Sequence, residues 1–144
     1  MKLLKDIIYG IRIVEIKGNT NIAVESIAFD SRKINNLSLF IAVNGVSQNG
    51  HHFISDAESN GACAIICDEI PENLKENITY IKVPNSSESI GVIASNFYDN
   101  PSEKLKLIGI TGTNGKTTCA TLLYDLYRLM GYKTGLISTV NIKI

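Results

Sequence analysis

A chain of 144 residues carrying 14 basic and 14 acidic side chains has no formal net charge. That removes the electrostatic footprint of a nucleic-acid or anionic-membrane partner. Its length allows one domain with a proper core but hardly two complete ones, and its apolar content is that of an ordinary soluble globular protein.

Lys5 and Asp6 interrupt the apolar N-terminal stretch MKLLKDIIYG, which argues against a secretory leader, and no apolar run approaches membrane-spanning length. The three cysteines, Cys63, Cys67 and Cys119, are odd in number and lack zinc-type spacing. Free thiols in a cytoplasmic chain are the expectation. Cys63 and Cys67 lie four residues apart in the strand pattern ACAIIC, so strict alternation predicts that they face the same side. Cys119 is read as a packing residue.

Taken in order, residues 1–9 predict a short amphipathic helix with Leu3, Leu4, Ile7 and Ile8 on one side and Gly10 ending it. Residues 11–16 and 22–29 read as strands separated by the turn Gly18-Asn19-Thr20-Asn21. The second strand closes on Asp30-Ser31-Arg32. Residues 39–43, LFIAV, form a compact buried strand, followed by a polar loop over 44–52. A short helix over 53–60, with Gly61 past its end, precedes a strand over 62–67. After an acidic excursion, residues 79–83 make another strand. Asn85 and Glu88 then form a capping box for a helix running to about residue 98. Tyr98-Asp99-Asn100-Pro101-Ser102 breaks that helix and marks the domain boundary, giving a first domain over 1–101 and a second over 102–144. Strands alternating with helices point to an α/β fold with much parallel pairing.

The second domain opens on the most informative stretch of the chain. Leu107-Ile108-Gly109-Ile110 reads as a buried parallel strand, breaking into Thr111-Gly112-Thr113-Asn114-Gly115-Lys116-Thr117-Thr118 and then into a helix to about Met130. Strand, Gly-rich turn, Lys-Thr and helix is the layout of a phosphate-binding loop. Gly112 and Gly115 let the backbone N–H groups turn inward, and the helix start adds unpaired N–H groups and a positive dipole end. Lys116 can reach terminal phosphates, and the Thr117 hydroxyl can ligand Mg²⁺. The strict pattern wants glycine at position 110, where Ile110 stands, so the loop is a variant. Leu122, Leu126, Leu129 and Met130 are expected to form the helix's buried stripe, and residues 133–139 begin another strand. Strand–loop–helix–strand is too little to close a nucleotide-binding sheet.

A second candidate site comes from Ser31 and from the loop carrying Asn49, Gly50, His51, His52 and Phe53, because ligands in open α/β sheets bind past the strand ends. A metal at His51 and His52 is rejected for want of a third ligand nearby.

Together these stretches resemble the start of a Mur ligase. The matching segments are Asp30-Ser31-Arg32-Lys33, Leu39-Phe40-Ile41-Ala42-Val43, Asn49-Gly50-His51-His52-Phe53-Ile54, Gly61-Ala62 with Ala64-Ile65-Ile66, Phe97-Tyr98-Asp99-Asn100-Pro101, and residues 107–118. They span nearly the whole chain. The family's TGTNGKT loop accounts for Ile110, and Asn36-Leu37-Ser38 departs from the family's usual Pro-Gly-Asp-like turn. Folylpolyglutamate synthetases are similar at the loop but lack the preceding Asp-Ser-Arg domain.

The resemblance implies an N-terminal mixed α/β domain that holds the uridine diphosphate of UDP-MurNAc-dipeptide through Ser31, Asn49, Gly50, His51, His52 and Phe53. It implies next the start of a central ATP-binding domain, with ATP on Gly112, Thr113, Asn114, Gly115, Lys116, Thr117 and Thr118, Lys116 as the catalytic cation and Thr117 on Mg²⁺. The implied reaction is ATP-dependent amide-bond formation in peptidoglycan precursor synthesis. It proceeds through an acyl phosphate and adds the third stem-peptide residue, diaminopimelate or lysine, to UDP-MurNAc-L-Ala-D-Glu. Small molecules are the implied partners, with no nucleic acid and no membrane, and the implied full-length form is a cytoplasmic monomer. The chain itself reads as the inactive front piece of such a ligase. The alternatives are a free-standing nucleotide-sugar-binding module with a vestigial phosphate loop, and an unrelated phosphate-loop ATPase with a small regulatory domain.

Overall fold

In the computed structural model of the chain, residues 1–45 and 48–144 are described. Val46 and Ser47, inside the loop expected over 44–52, lie outside the described residues. The chain divides into two compact units, Met1–Leu105 and Lys106–Ile144.

The first unit runs β1 (Lys2–Leu3), α1 (Leu4–Ile7), β2 (Glu15–Lys17), β3 (Ala23–Val24), β4 (Ser26–Ala28), a 3-10 turn Ser31–Lys33 and β5 (Ser38–Ile41). A second 3-10 turn, Gly50–Phe53, leads into α2 (Ile54–Ser59), followed by β6 (Ala62–Cys67), β7 (Thr79–Lys82), α3 (Ser86–Phe97) and a last turn Pro101–Lys104. The main sheet has the order β2-β7-β6-β5-β4, and β1 pairs with β3 in a separate antiparallel ribbon. Strands β4 to β7 are mutually parallel, while β2 lies antiparallel on β7. This is a mixed α/β architecture with a mixed sheet.

Burial on both faces explains why the strands read as apolar runs rather than as alternating patterns. Leu39, Ile41, Ala64, Ile66, Ile81 and Val83 pack on one face with Leu4 and Ile7 of α1 and Ile93 of α3. Phe40, Ala42, Ile65, Cys67 and Tyr80 pack on the other with Ile54 and Ala57 of α2. Each fully buried Leu or Ile contributes about 1.5–3 kcal/mol of transfer free energy, so the two faces dominate the stability of this unit. Tyr80 is almost wholly buried, and its hydroxyl donates to Glu58 Oε1 at 2.7 Å and accepts from the Lys75 N–H at 3.2 Å. Burial pushes its phenol up to about 12.

Strict alternation fails at Cys63. The β5–β6 register steps from Ser38↔Ala62 to Leu39↔Ala64, so one extra residue is inserted in β6. Cys63 therefore packs toward the α1/α3 face while Cys67 belongs to the α2 face, opposite sides rather than the same one. Burial raises both thiols, that of Cys67 to about 12.

Three further sequence expectations change in this unit. Residues 1–9 hold only four helical residues, because Lys2 and Leu3 pair with Val24 and Ala23. Residues 22–29 are not one strand: β3 pairs with β1, whereas β4 joins β5, with the change of sheet at Glu25. The strand expected over 11–16 is confined to Glu15–Lys17. The C-terminal end of α3 is tied to the N-terminal segment by Asn96, whose Nδ2 donates to Ile7 O at 2.9 Å and Tyr9 O at 2.7 Å, and just past the helix Asp99 pairs with Lys2 of β1 at 2.6 Å.

The second unit contains α4 (Lys116–Leu129) and an antiparallel hairpin of β8 (Leu136–Ile137) and β9 (Ile142–Lys143). Leu107-Ile108-Gly109-Ile110 is not paired as a strand, and Leu107 is 87% exposed. The expected stripe Leu122, Leu126, Leu129 and Met130 is also exposed, Leu129 to 87%. A strand needs a neighbour and an amphipathic helix needs a sheet, and this unit offers only a two-stranded hairpin. Tyr124 and Leu136 are its buried side chains among the described residues. Lys143 Nζ lies over the Tyr124 ring at 5.1 Å from its centroid.

Candidate nucleotide sites

The loops that leave β4 and β5 start from the carboxyl ends of adjacent parallel strands. Asp30 caps the first turn: its Oδ1 accepts the Arg32 N–H at 3.1 Å, and its carboxylate takes Arg32 Nε at 2.9 Å and the terminal guanidinium nitrogen at 2.8 Å. The hydrogen bonds from Arg32 hold the Asp30 carboxyl down at about 2. Ser31 opens this turn at 7% exposure, and its carbonyl accepts from Asn60 Nδ2 at 3.0 Å. Helix α2 packs against both this turn and the one after β5.

The loop after β5 folds back on itself. Asn44 bridges to Asn49, and the Gly45 N–H donates to Gln48 O at 3.0 Å. Gly50 then lies against the end of β5, donating its N–H to Val43 O at 2.8 Å. A Cβ on Gly50 would sit 2.6 Å from Val43 O and 2.7 Å from Val43 N, so close backbone approach requires glycine here.

The remaining predicted residues of this loop divide by role. Asn49 is the cap of the 3-10 turn, its Oδ1 accepting the His51 N–H at 2.9 Å. His51 has both ring nitrogens engaged, Nδ1 with Asn49 Oδ1 at 2.8 Å and Nε2 with the Asp68 N–H at 2.9 Å. Phe53 packs on the α2-side core. His52 is exposed. The structure thus collects these residues in one turn but commits most of their polar atoms internally.

Two residues that sequence reasoning passed over tie the edge together. Asp68, directly after β6, accepts the Ser86 N–H on Oδ1 at 2.6 Å, and the fully buried Ser86 donates its hydroxyl to Ala42 O at 2.7 Å. Asp68 was open to discovery as the first polar residue past a parallel strand; Ser86 and Asn60 carry no sequence signal. The predicted cap of α3 is present, with Asn85 Oδ1 accepting the Ser87 and Glu88 N–H groups at 3.0 and 3.3 Å. Glu88 takes a bond from Asn85 Nδ2 at 2.8 Å, a side-chain variant of the capping box.

In the second unit the Gly-rich turn leads straight into α4. Gly115 is the residue at the helix start, with φ 77°, a left-handed conformation suited to glycine, and no side-chain hydrogen bond caps the helix. A Cβ there would meet nothing within 4 Å, so it is the left-handed φ and not close packing that favours glycine. Lys116 folds back over the turn, its Nζ donating to Gly112 O at 2.6 Å and Thr113 O at 3.1 Å. An ammonium and a set of uncapped N–H groups therefore share one small region, a chemistry suited to a polyanion. Thr117 is half-buried on the first turn, and Thr113, Asn114, Thr118 and Cys119 are exposed.

Comparison with known proteins gives the class to which the chain belongs. A family model described as "Mur ligase family, catalytic domain" matches residues 23–98. The chain belongs to the Mur ligase family. It is 55% identical over 139 residues to the UDP-N-acetylmuramoyl-L-alanyl-D-glutamate–2,6-diaminopimelate ligase of Cytophaga hutchinsonii, covering 96% of this chain and 29% of that protein. The enzyme of the same name from Bacteroides fragilis is 50% identical, covering 95% and 28%. The chain thus spans less than a third of the length of these relatives. Among solved structures, a 2,6-diaminopimelate ligase of the same name superposes with a TM-score of 0.72 at 23% identity over 99% of this chain and 28% of that one, a likeness of fold. A MurF ligase from Thermotoga maritima in complex with ADP gives a TM-score of 0.55 at 29% identity, covering 74% and 24%.

Proposed function

We propose that the chain is part of an ATP-dependent ligase of peptidoglycan precursor synthesis that adds the third stem-peptide residue to UDP-MurNAc-L-Ala-D-Glu. The observation that carries this reading is identity of 41–55% over nearly the whole chain to ligases named for the glutamate-to-diaminopimelate step. The same names favour diaminopimelate over lysine as the amino acid added. Within the proposal, the first unit binds the uridine nucleotide, with Ser31 and the turn bearing Asn49, Gly50, His51, His52 and Phe53 forming the loop. The second unit contributes Gly112, Thr113, Asn114, Gly115, Lys116, Thr117 and Thr118 to ATP.

The residues of the second unit fit that role. No side chain caps the helix start, and Lys116 lies over the turn. ATP, when bound, supplies the phosphoryl group that activates a carboxylate for attack by an amine. Lys116 would leave the carbonyls of Gly112 and Thr113 to neutralise phosphate charge, and the Thr117 hydroxyl would hold Mg²⁺. The small-molecule substrates and the ordinary charge balance suit a cytoplasmic enzyme, and no helix among the described residues is long and apolar enough to cross a membrane.

Calorimetric titration of the chain with UDP and, separately, with ATP tests the reading. Ser31→Ala is expected to weaken UDP while leaving ATP unchanged. Weakened ATP with unchanged UDP would overturn the assignment of the two ligands to the two units.

A further inference from the structure

The hydrogen-bond pattern around His51 sets its chemistry without ambiguity. The Asp68 N–H can only donate, so the Nε2 it meets at 2.9 Å presents a lone pair. Nδ1 then carries the proton and donates it to Asn49 Oδ1 at 2.8 Å. That oxygen is itself identified by the backbone, because it also accepts the His51 N–H at 2.9 Å. No alternative flip of the Asn49 amide or of the ring satisfies all three contacts.

The chain of contacts continues beyond the ring. Asp68 N–H reaches into the turn after β5, while the Asp68 carboxylate accepts the Ser86 N–H at 2.6 Å at the start of α3. Ser86 Oγ returns to Ala42 O at 2.7 Å at the end of β5. The turn, the end of β6, the start of α3 and the end of β5 are thus closed into one ring of polar contacts, with the His51 imidazole as its link to the loop.

We infer that His51 is a positioning residue: a neutral imidazole, protonated on Nδ1, that pins the turn after β5 to Asp68 at the end of β6 and shapes the nucleotide loop without touching the ligand. The inference rests on the proposed uridine-nucleotide site in the first unit. It separates two adjacent residues that the motif alone treats alike. His51 has no free ring nitrogen for a ligand, whereas His52 is exposed beside it.

The experiment uses the full chain and UDP as the probe. Three variants are compared by calorimetry: His51→Ala, His51→Asn and His51→Gln. A glutamine amide oxygen can reach the position of Nε2 and accept the Asp68 N–H, while asparagine falls short. The Ala and Asn variants are expected to bind UDP about tenfold more weakly, with Gln recovering most of the loss. In the unsubstituted chain, ¹⁵N spectra are expected to show the Nδ1-protonated tautomer. The Asp68 amide and His51 Nε2 signals should shift on saturation with UDP, a response that a purely structural histidine would not give. UDP binding unchanged in His51→Ala, or an Nε2-protonated ring, would overturn this inference alone. Failure of the unsubstituted chain to bind UDP would overturn the nucleotide reading and the role assigned to His51 with it.

Discussion

Helices α3 and α4 begin in opposite ways. The start of α3 is closed: Asn85 satisfies two of its N–H groups, and the Asp68 carboxylate takes a third, that of Ser86, at 2.6 Å. The start of α4 is open, with left-handed Gly115 at its head and Lys116 beside it. The backbone explains the difference. A capping side chain needs an extended residue at the cap, as Asn85 is with φ −155° and ψ 109°, and Gly115 with φ 77° and ψ −1° can provide neither that conformation nor a side chain. A helix start filled by the protein's own acceptors contributes to stability; one left unfilled, with a cation at hand, is available to a bound anion.

Substitutions at the two starts should therefore move different quantities. The largest effect is expected from Lys116→Ala, which removes the cation of the open start. ATP affinity, measured by calorimetry, should fall about 30- to 100-fold, the scale of about 2–3 kcal/mol for a hydrogen bond to a charged group, with little change in the unfolding midpoint. Unchanged affinity would remove the loop from nucleotide binding. Next is Asp68→Ala at the closed start. It leaves the Ser86 N–H without its acceptor and should cost about 1–3 kcal/mol in denaturant unfolding while ATP affinity stays the same. Equal loss of ATP binding would break the separation drawn between the two starts.

Asn85→Ala should cost about 1 kcal/mol, the usual worth of an N-cap, again by denaturant unfolding. The smallest effect belongs to Asp30, which caps the 3-10 turn carrying Ser31. Its carboxyl is lowered from 3.8 to about 2 in the folded chain, chiefly by the hydrogen bond from Arg32. The folded value lies below the unfolded one, so the stabilising contribution is complete above the unfolded value and is lost as pH falls through the folded one. The small stability advantage over Asp30→Asn should thus be constant near neutrality and vanish on acidification from about pH 4 toward pH 2. A difference that persists at the acid end would mean that the turn is held by something other than this carboxylate.

Local signals predicted the closed start well and the surroundings of the open one poorly. Asn85 and Glu88 were legible because a cap is decided within four residues. The strands expected over 62–67 and 79–83, found as Ala62–Cys67 and Thr79–Lys82, were legible because runs buried on both faces are short, apolar and bounded by turn residues. Leu107-Ile108-Gly109-Ile110 has the same composition, yet it has no partner strand among the described residues and is not a strand. Composition states what a segment can join, not whether a neighbour is present. For the same reason the apolar stripe of α4 was readable as a pattern but not as a buried surface.

By itself, the sequence determined the strands and helices from residue 39 to residue 97, the Gly-rich turn before α4, the cap of α3 and the family. These depend on near neighbours or on motifs of fixed spacing. Tertiary structure alone decided the division of residues 22–29 between two sheets and the inserted residue that sends Cys63 and Cys67 to opposite faces. It alone decided, too, the different surroundings of His51, bonded at both ring nitrogens, and His52, which is exposed. Asp68 lies 17 residues beyond His51, and Ser86 lies 18 beyond Asp68. Contacts of that separation are made by parallel pairing of β5, β6 and β7, which brings strand ends together whatever their distance along the chain.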